Sequence, residues 1–227
     1  MIKKMKNIFN QKIIDTHHHL WDPTSNKYDW LISPGHEIFN NIYLIEDYLN
    51  DIGSLNIYKS VHVQAEINEP ETLYETEWIQ NISESEIEKN KNKLPNAIIG
   101  FANFLDENIE KILEKHSLYS NFRGIRQILN YDINDSSVSH AKINYLKENI
   151  WLRNFSLLKK YNLSFDLSIL QNQTEDAAKL ISKEENILFI INRIALWNEE
   201  LISCFFFVVE KQIYLRIKQQ HSKKIIY

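Results

Sequence analysis

Cysteine is almost missing from this chain. Cys204 is the only one among 227 residues, so no internal disulfide is available and nothing points to an oxidising compartment. Glycine and proline are scarce at four each. No Gly-rich phosphate loop follows the first predicted strand, which counts against a dinucleotide-binding sheet. No apolar run approaches the ~20 residues that span a bilayer, and the longest late one, Leu201 to Val209, stops well short. The basic start Met1-Ile2-Lys3-Lys4-Met5-Lys6 is followed by Asn10, Gln11, Lys12 and Asp15, which interrupt the apolar stretch an export signal needs. Basic charge is not in excess either: the net charge is -4 and the lysines and arginines are dispersed, so no nucleic-acid partner is expected. The expectation from these absences is a soluble, cytoplasmic protein with no membrane partner.

A hydrophobic content of 44% is enough for a substantial core in one domain. Short apolar runs alternate with longer amphipathic stretches, the pattern of βα units around a parallel sheet. Strands are predicted over Lys12 to Thr16, Lys59 to Glu66, Asn96 to Asn103, Phe122 to Gln127, Leu163 to Ser168 and Asn186 to Ile191. Helical patterns fall at Tyr43 to Asp51, Glu71 to Lys89, Asp106 to His116, Ile143 to Tyr161 and Thr174 to Ser182. Asp106 reads as an N-cap before the stripe of Ile109, Ile112 and Leu113. Six units suit an open doubly wound sheet, whereas a closed (β/α) barrel needs eight, so a barrel reading implies an incomplete one.

The strongest local signal is Ile13-Ile14-Asp15-Thr16-His17-His18-His19-Leu20-Trp21-Asp22-Pro23, an apolar strand running straight into three histidines. Alternation in a strand puts His17 and His19 on one face and His18 on the other. Two imidazoles at a strand's C-terminal end can bind a metal or clamp a substrate oxyanion. A polar strand end or surface loop is the plainer alternative.

This stretch, with Tyr28-Asp29-Trp30-Leu31 after it, resembles the opening of the amidohydrolase-related family (amidohydrolase 2), in the branch of fuconolactonase-like, sulfomuconolactonase-like and pyrone-dicarboxylate lactonase-like enzymes. Val61-His62-Val63-Gln64-Ala65-Glu66, with Glu71-Thr72 and Trp78, is similar to the family's second strand and following helix. Ile99-Gly100-Phe101-Ala102 and Phe122-Arg123-Gly124-Ile125-Arg126 are similar to its third and fourth strands, and the likeness extends over residues 12 to 192. It implies an α/β fold of the (β/α)8 TIM-barrel type of the amidohydrolase superfamily, with about six βα units present. Residues 1 to 11 are then an extension and 193 to 227 a divergent segment.

The implied activity is hydrolysis of a small sugar or carboxylate lactone. Decarboxylase or hydratase chemistry and an inactive shortened product are the alternatives. His17 and His19 are the expected catalytic residues. They are also candidate ligands of a divalent metal such as zinc, although members of this branch exist that need none. Gln64, Arg123, Arg126, Trp21, Tyr28 and Trp30 are the expected substrate-binding residues. Alternation in β-structure would project His62, Gln64 and Glu66 together into the barrel mouth. Arg126, nearer the strand end, ranks ahead of Arg123 as the fork for a substrate carboxylate, against an ordinary surface ion pair for either. Tyr28 and Trp30 could roof a pocket or simply anchor their loop. Asp166 is a strand-end contact or a site residue, and Cys204 reads as an inert apolar side chain.

The resemblance breaks at Asn192-Arg193-Ile194-Ala195, where the family reads Asn-His-x-Gly, and the family's late Gly-Ser-Asp-Trp-Pro-like turn, source of its aspartate, does not occur. Arginine can neither ligate a metal nor act as a base at neutral pH. The expectation is therefore a chain shortened or frame-shifted near residues 190 to 200. Such a chain would hold substrate without the aspartate that activates water, bind metal weakly at best, and be prone to self-association through open strand edges.

Overall fold

The computed structural model describes residues 11–24, 28–32, 34–69, 71–85 and 88–195. Two compact units divide the chain. One runs to Ala102 and resumes over Lys111–Arg126, and the other holds Asn103–Glu110 and the described residues from Gln127 onward. The segment after Ala195, with Cys204 and the Leu201 to Val209 run, lies outside the described residues, as do residues 1–10.

The first unit is a parallel sheet with helices between its strands. Strands β1 (Ile13–His18), β2 (Ile57–Val63) and β3 (Ala97–Gly100) precede β4 (Phe122–Ile128), and each pairs in parallel with the next. Helix α1 (Ile45–Ile52) joins β1 to β2, α2 (Thr72–Glu84) joins β2 to β3, and α3 (Ile109–His116) precedes β4. Parallel neighbours need such crossovers, which explains why the apolar runs are spaced by helix-length stretches. Gly100 is required by close approach. A Cβ there would sit 2.8 Å from the Phe122 ring and 3.1 Å from the Thr76 hydroxyl. The space it leaves lets His116 stack on Phe122, with centroids 4.7 Å apart, and meet Thr76 Oγ1 at 3.0 Å through Nδ1.

In the second unit β5 (Ser164–Leu170), buried along its whole length, pairs in parallel with β6 (Phe189–Ala195). Its core is aromatic. Phe104, Trp151, Phe155 and Phe165 are fully buried, with Trp151 and Phe165 both 4.9 Å from Phe155 in stacked and edge-on geometry. The predicted helix from Ile143 to Tyr161 is broken into a 3₁₀ turn (Tyr145–Lys147), helix α4 (Asn149–Phe155) and a second 3₁₀ turn (Ser156–Lys159). Extended backbone at Glu148 makes the first break, and the second comes where the Ser156 hydroxyl is engaged by Glu184 at 2.5 Å. Helix α5 (Thr174–Lys183) matches its prediction within a residue. Among the described residues no helix is long and apolar enough to cross a membrane.

Asp106 does not cap a helix that starts beside it. Its carboxylate accepts the Asn108 N–H at 2.6 Å in a turn, and α3 begins at Ile109. The predicted α2 ends early, at Glu84, where Ser85 turns to extended backbone.

Candidate active site

The first unit's sheet brings its chemistry together at the C-terminal end of β1 and β2. The His17 and His19 rings meet edge to face with 4.8 Å between centroids and 3.1 Å between their Nε2 atoms. His19 Nδ1 lies 2.6 Å from the Val63 carbonyl oxygen, so it must be the donor, and its Nε2 is left as an acceptor. His17 then carries its proton at Nε2, facing His19. Asp15 steadies this turn of chain: one carboxylate oxygen accepts the His17 N–H at 3.1 Å and the other the Tyr48 hydroxyl at 2.8 Å.

Arg126 reaches the same region from β4. It is buried, and its Nη2 donates to the Gln64 carbonyl at 2.6 Å. Burial first, and then this guanidinium, push both imidazoles below their ordinary 6.5, His19 to about 3. Both are therefore neutral bases near pH 7. A cavity of about 210 Å³ opens beside them, lined by His19, Trp21, Trp30, Phe39, Ala65, Glu66 and Arg126. Trp30 Nε1 donates to the Ala65 carbonyl at 2.8 Å, and Trp21 Nε1 to that of Asn41 at 2.7 Å, so both indoles are fixed, Trp21 being also stacked on Tyr43.

Tyr28 is buried with Leu31, Ala65 and Ile67 beneath this aromatic wall, with Trp21 and Trp30 packed on that cluster. Gln64 contributes its backbone to the site while its side chain turns inward, Oε1 accepting the Glu66 N–H at 2.5 Å. Arg123 is exposed, its Nη1 bonded to the carbonyls of Ser120 and Phe122 at 2.7 Å, and it stands outside the cavity. His62 does not project into a barrel mouth. The β1–β2 register sets it opposite His18, so both face the helices, and His62 is fully buried 3.4 Å from Glu75 of α2. Asp166 is buried on β5 in the second unit. Glu66, placed at the barrel mouth by alternation, lines the cavity, whereas Phe39 and Glu75 were not selected from the sequence; only the aromatic density of residues 28–43 hinted at Phe39. A larger cavity of about 650 Å³, with Leu49, Ile57, Asn90 and Leu94 in its wall, collects none of these groups.

The paired Nε2 atoms and the Nδ1–H to carbonyl bond are what two metal-bound histidines would present. A zinc site takes three or four protein donors, and among the described residues no group of three His, Cys, Asp or Glu side chains gathers. The neighbouring guanidinium opposes a dication as well. The described residues alone do not fit a divalent ion.

No family model matches the chain. Uncharacterized protein y4mH of Sinorhizobium fredii is 31% identical over 187 residues, which cover 79% of this chain and 61% of that protein. The chain thus spans under two thirds of that relative's length. Among solved structures it is similar to an amidohydrolase from Burkholderia multivorans with bound zinc, with a TM-score of 0.56, 16% identity, and 79% of this chain and 56% of that one covered. It is similar to amidohydrolase 2 from Bifidobacterium longum subsp. infantis, with a TM-score of 0.58, 18% identity, and coverage of 86% and 68%. A probable 2-pyrone-4,6-dicarboxylic acid hydrolase from Acinetobacter baumannii with citric acid bound gives a TM-score of 0.53 at 12% identity, with coverage of 76% and 55%. Likeness at these identities establishes the fold: six strands of the (β/α)-barrel type seen in amidohydrolases.

Proposed function

We propose that the chain belongs to a hydrolase of the amidohydrolase superfamily that opens a small carboxylated lactone with water. The observation that carries this reading is one aromatic-walled cavity lined by a neutral imidazole, His19, and the buried Arg126 guanidinium, with the His17 ring against His19. The likeness in fold supports it, as does the sequence resemblance around His17 and His19.

In this scheme Arg126 takes the substrate carboxylate, and Trp21, Trp30 and Phe39 cover the ring and exclude water from its faces. The His17 Nε2–H turns from His19 to the lactone carbonyl oxygen, where negative charge develops. Water adds to the carbonyl carbon, the ring C–O bond breaks, and a hydroxy acid leaves. Glu66, alone among the described lining residues in carrying a carboxylate, takes the proton from water and returns it to the departing alkoxide.

The test is ring opening of carboxylated five- and six-membered lactones, followed by proton release, with wild type, His17→Ala and Arg126→Met. Turnover that falls at least ~100-fold in both variants supports the reading, a drop of the size seen for lost transition-state donors. Turnover unchanged by either substitution refutes it, and release of carbon dioxide without ring opening would move the assignment to a decarboxylase.

A further inference from the structure

Three consecutive carbonyl groups at the exit of β2 each hold one side chain of the candidate site. Val63 takes His19, Gln64 takes Arg126, and Ala65 takes Trp30. Val63 closes the β2–β3 ladder, Gln64 and Ala65 lie past it, and Glu66 at φ 60° turns the chain away. Strand pairing therefore aims the Val63 carbonyl, and something else must aim those of Gln64 and Ala65. A trans peptide is planar, with its C=O and N–H on opposite sides, so whatever accepts the N–H also aims the C=O.

Each of the three planes has its own acceptor. The Val63–Gln64 plane is fixed by the Gln64 N–H on the Ile99 carbonyl of β3, at 2.8 Å. The Ala65–Glu66 plane is fixed by the Glu66 N–H on the Gln64 side chain. The Gln64–Ala65 plane is fixed by the Ala65 N–H on Oε1 of Glu75, at 2.8 Å, and Glu75 comes from helix α2 on the other side of the strand. We infer that Glu75 is the positioning residue for the Arg126 guanidinium, acting through the Gln64–Ala65 peptide plane.

Chemistry favours this reading over a role in packing alone. Glu75 is 2% exposed and His62 is fully buried, a costly placement for a glutamate unless its oxygen is needed there. Acceptor, peptide and guanidinium form one line of hydrogen bonds, Glu75 Oε1 to Ala65 N–H and Gln64 C=O to Arg126 Nη2, in which each bond polarises the next. Burial pushes the Glu75 carboxyl up to about 7, so a neutral glutamine closely mimics it. That makes the isosteric variant informative.

The inference rests on the proposed function only for what Arg126 does with a substrate; the geometry stands without it. The experiment reads the ligand-free full chain by ¹⁵N NMR, following the Arg126 Nη protons and the Ala65 amide in wild type, Glu75→Gln and Glu75→Leu. Wild type and Glu75→Gln should show a slowly exchanging Arg126 Nη proton. Glu75→Leu should speed its exchange at least tenfold and move the Ala65 amide upfield. If Glu75→Leu does not fold, Glu75→Asp, whose acceptor is drawn back by one methylene, must show the same direction of change. Should the folded variants keep the wild-type Arg126 signal while only thermal stability drops, Glu75 is a packing residue and the inference is wrong. In parallel, lactone hydrolysis by Glu75→Leu should show a raised KM with a smaller change in kcat. A wild type that opens no lactone yet shows the Glu75 dependence of Arg126 would sink the proposed function alone.

Discussion

Lowering the pH from 7 to 5 should destabilise the first unit through histidines that must stay neutral to stay buried. His18 is stacked on Tyr48 with its Nε2 3.0 Å from Ser60 Oγ, and His116 is fully buried against Phe122 and Thr76. Burial lowers His18 to about 3, helped by nearby His62, and lowers His116 to about 4, both from 6.5. Because both folded values lie below the unfolded one, the unfolded chain takes up protons first. The stability they allow is present above pH 6.5 and is lost as pH falls toward the folded values. Linkage gives a loss of ~2 kcal/mol from each between pH 7 and 5, so ~4 kcal/mol together. His19 and His62, each lowered to about 3, add ~2 kcal/mol apiece to the loss, while Glu75, raised to about 7, gains about as much as one of them over the same window, which leaves a net loss of ~6 kcal/mol. Against a typical total of about 5–15 kcal/mol, a ~6 kcal/mol loss is large. Urea unfolding at pH 5, 6 and 7 measures it, and His116→Gln, which cannot titrate but keeps a partner for Thr76, should remove about a third of the slope. Stability that is flat from pH 7 to 5, or a His116→Gln slope equal to wild type, would refute the reasoning.

Arg126→Met should raise the pKa of both His17 and His19, because the guanidinium helps to lower each; NMR titration of the ring protons checks this, and unchanged values would show that burial alone controls them. Trp30→Phe keeps a ring in the cavity wall but strips the donor from the Ala65 carbonyl, and should cost ~1–3 kcal/mol in urea unfolding as an unmet hydrogen bond. Zinc titration by calorimetry should show weak binding at most, since the described donors number two; tight stoichiometric zinc that disappears in His19→Ala would overturn that expectation.

The fold was legible because its signal is local and repeated. Each of six apolar runs became a strand, and the strand carrying His17 and His19 did bring those rings together. Of the two arginines ranked by position along β4, Arg126 is the one in the cavity wall, and Arg123 is exposed on the backbone of Ser120 and Phe122. What alternation missed lies where the strand stops. It put Gln64 and His62 on one inward face, but β2 ends at Val63 and the chain leaves the ladder, so period two no longer applies beyond it. The inward direction of His62 failed for another reason: the register that pairs it with His18 is a relation between two segments, and neither sequence stretch contains it. Glu75 was invisible in the same way, a single acid in a helical pattern whose partner amide is ten residues back and on another element.

The site's organisation bears on how far a chain of this length can serve as a binding unit. His17, His19, Gln64, Glu75 and Arg126 all belong to the first unit, and the bonds described above for them, from Asp15 to Ile99, are made within it. In the proposed scheme the guanidinium that takes the carboxylate is therefore positioned by residues of β4, the β2 exit and α2. Catalysis is different, because the resemblance implies a late aspartate as the water-activating group, while Glu66 is the carboxylate on hand. Glu66→Gln separates the two cases. If it abolishes ring opening while leaving carboxylate binding within about twofold, the base lies inside this unit; at ~1.4 kcal/mol per tenfold, a twofold change is too small to reflect a lost contact. If turnover survives the substitution, proton transfer is done by another group, and Glu66 serves only to shape the cavity mouth.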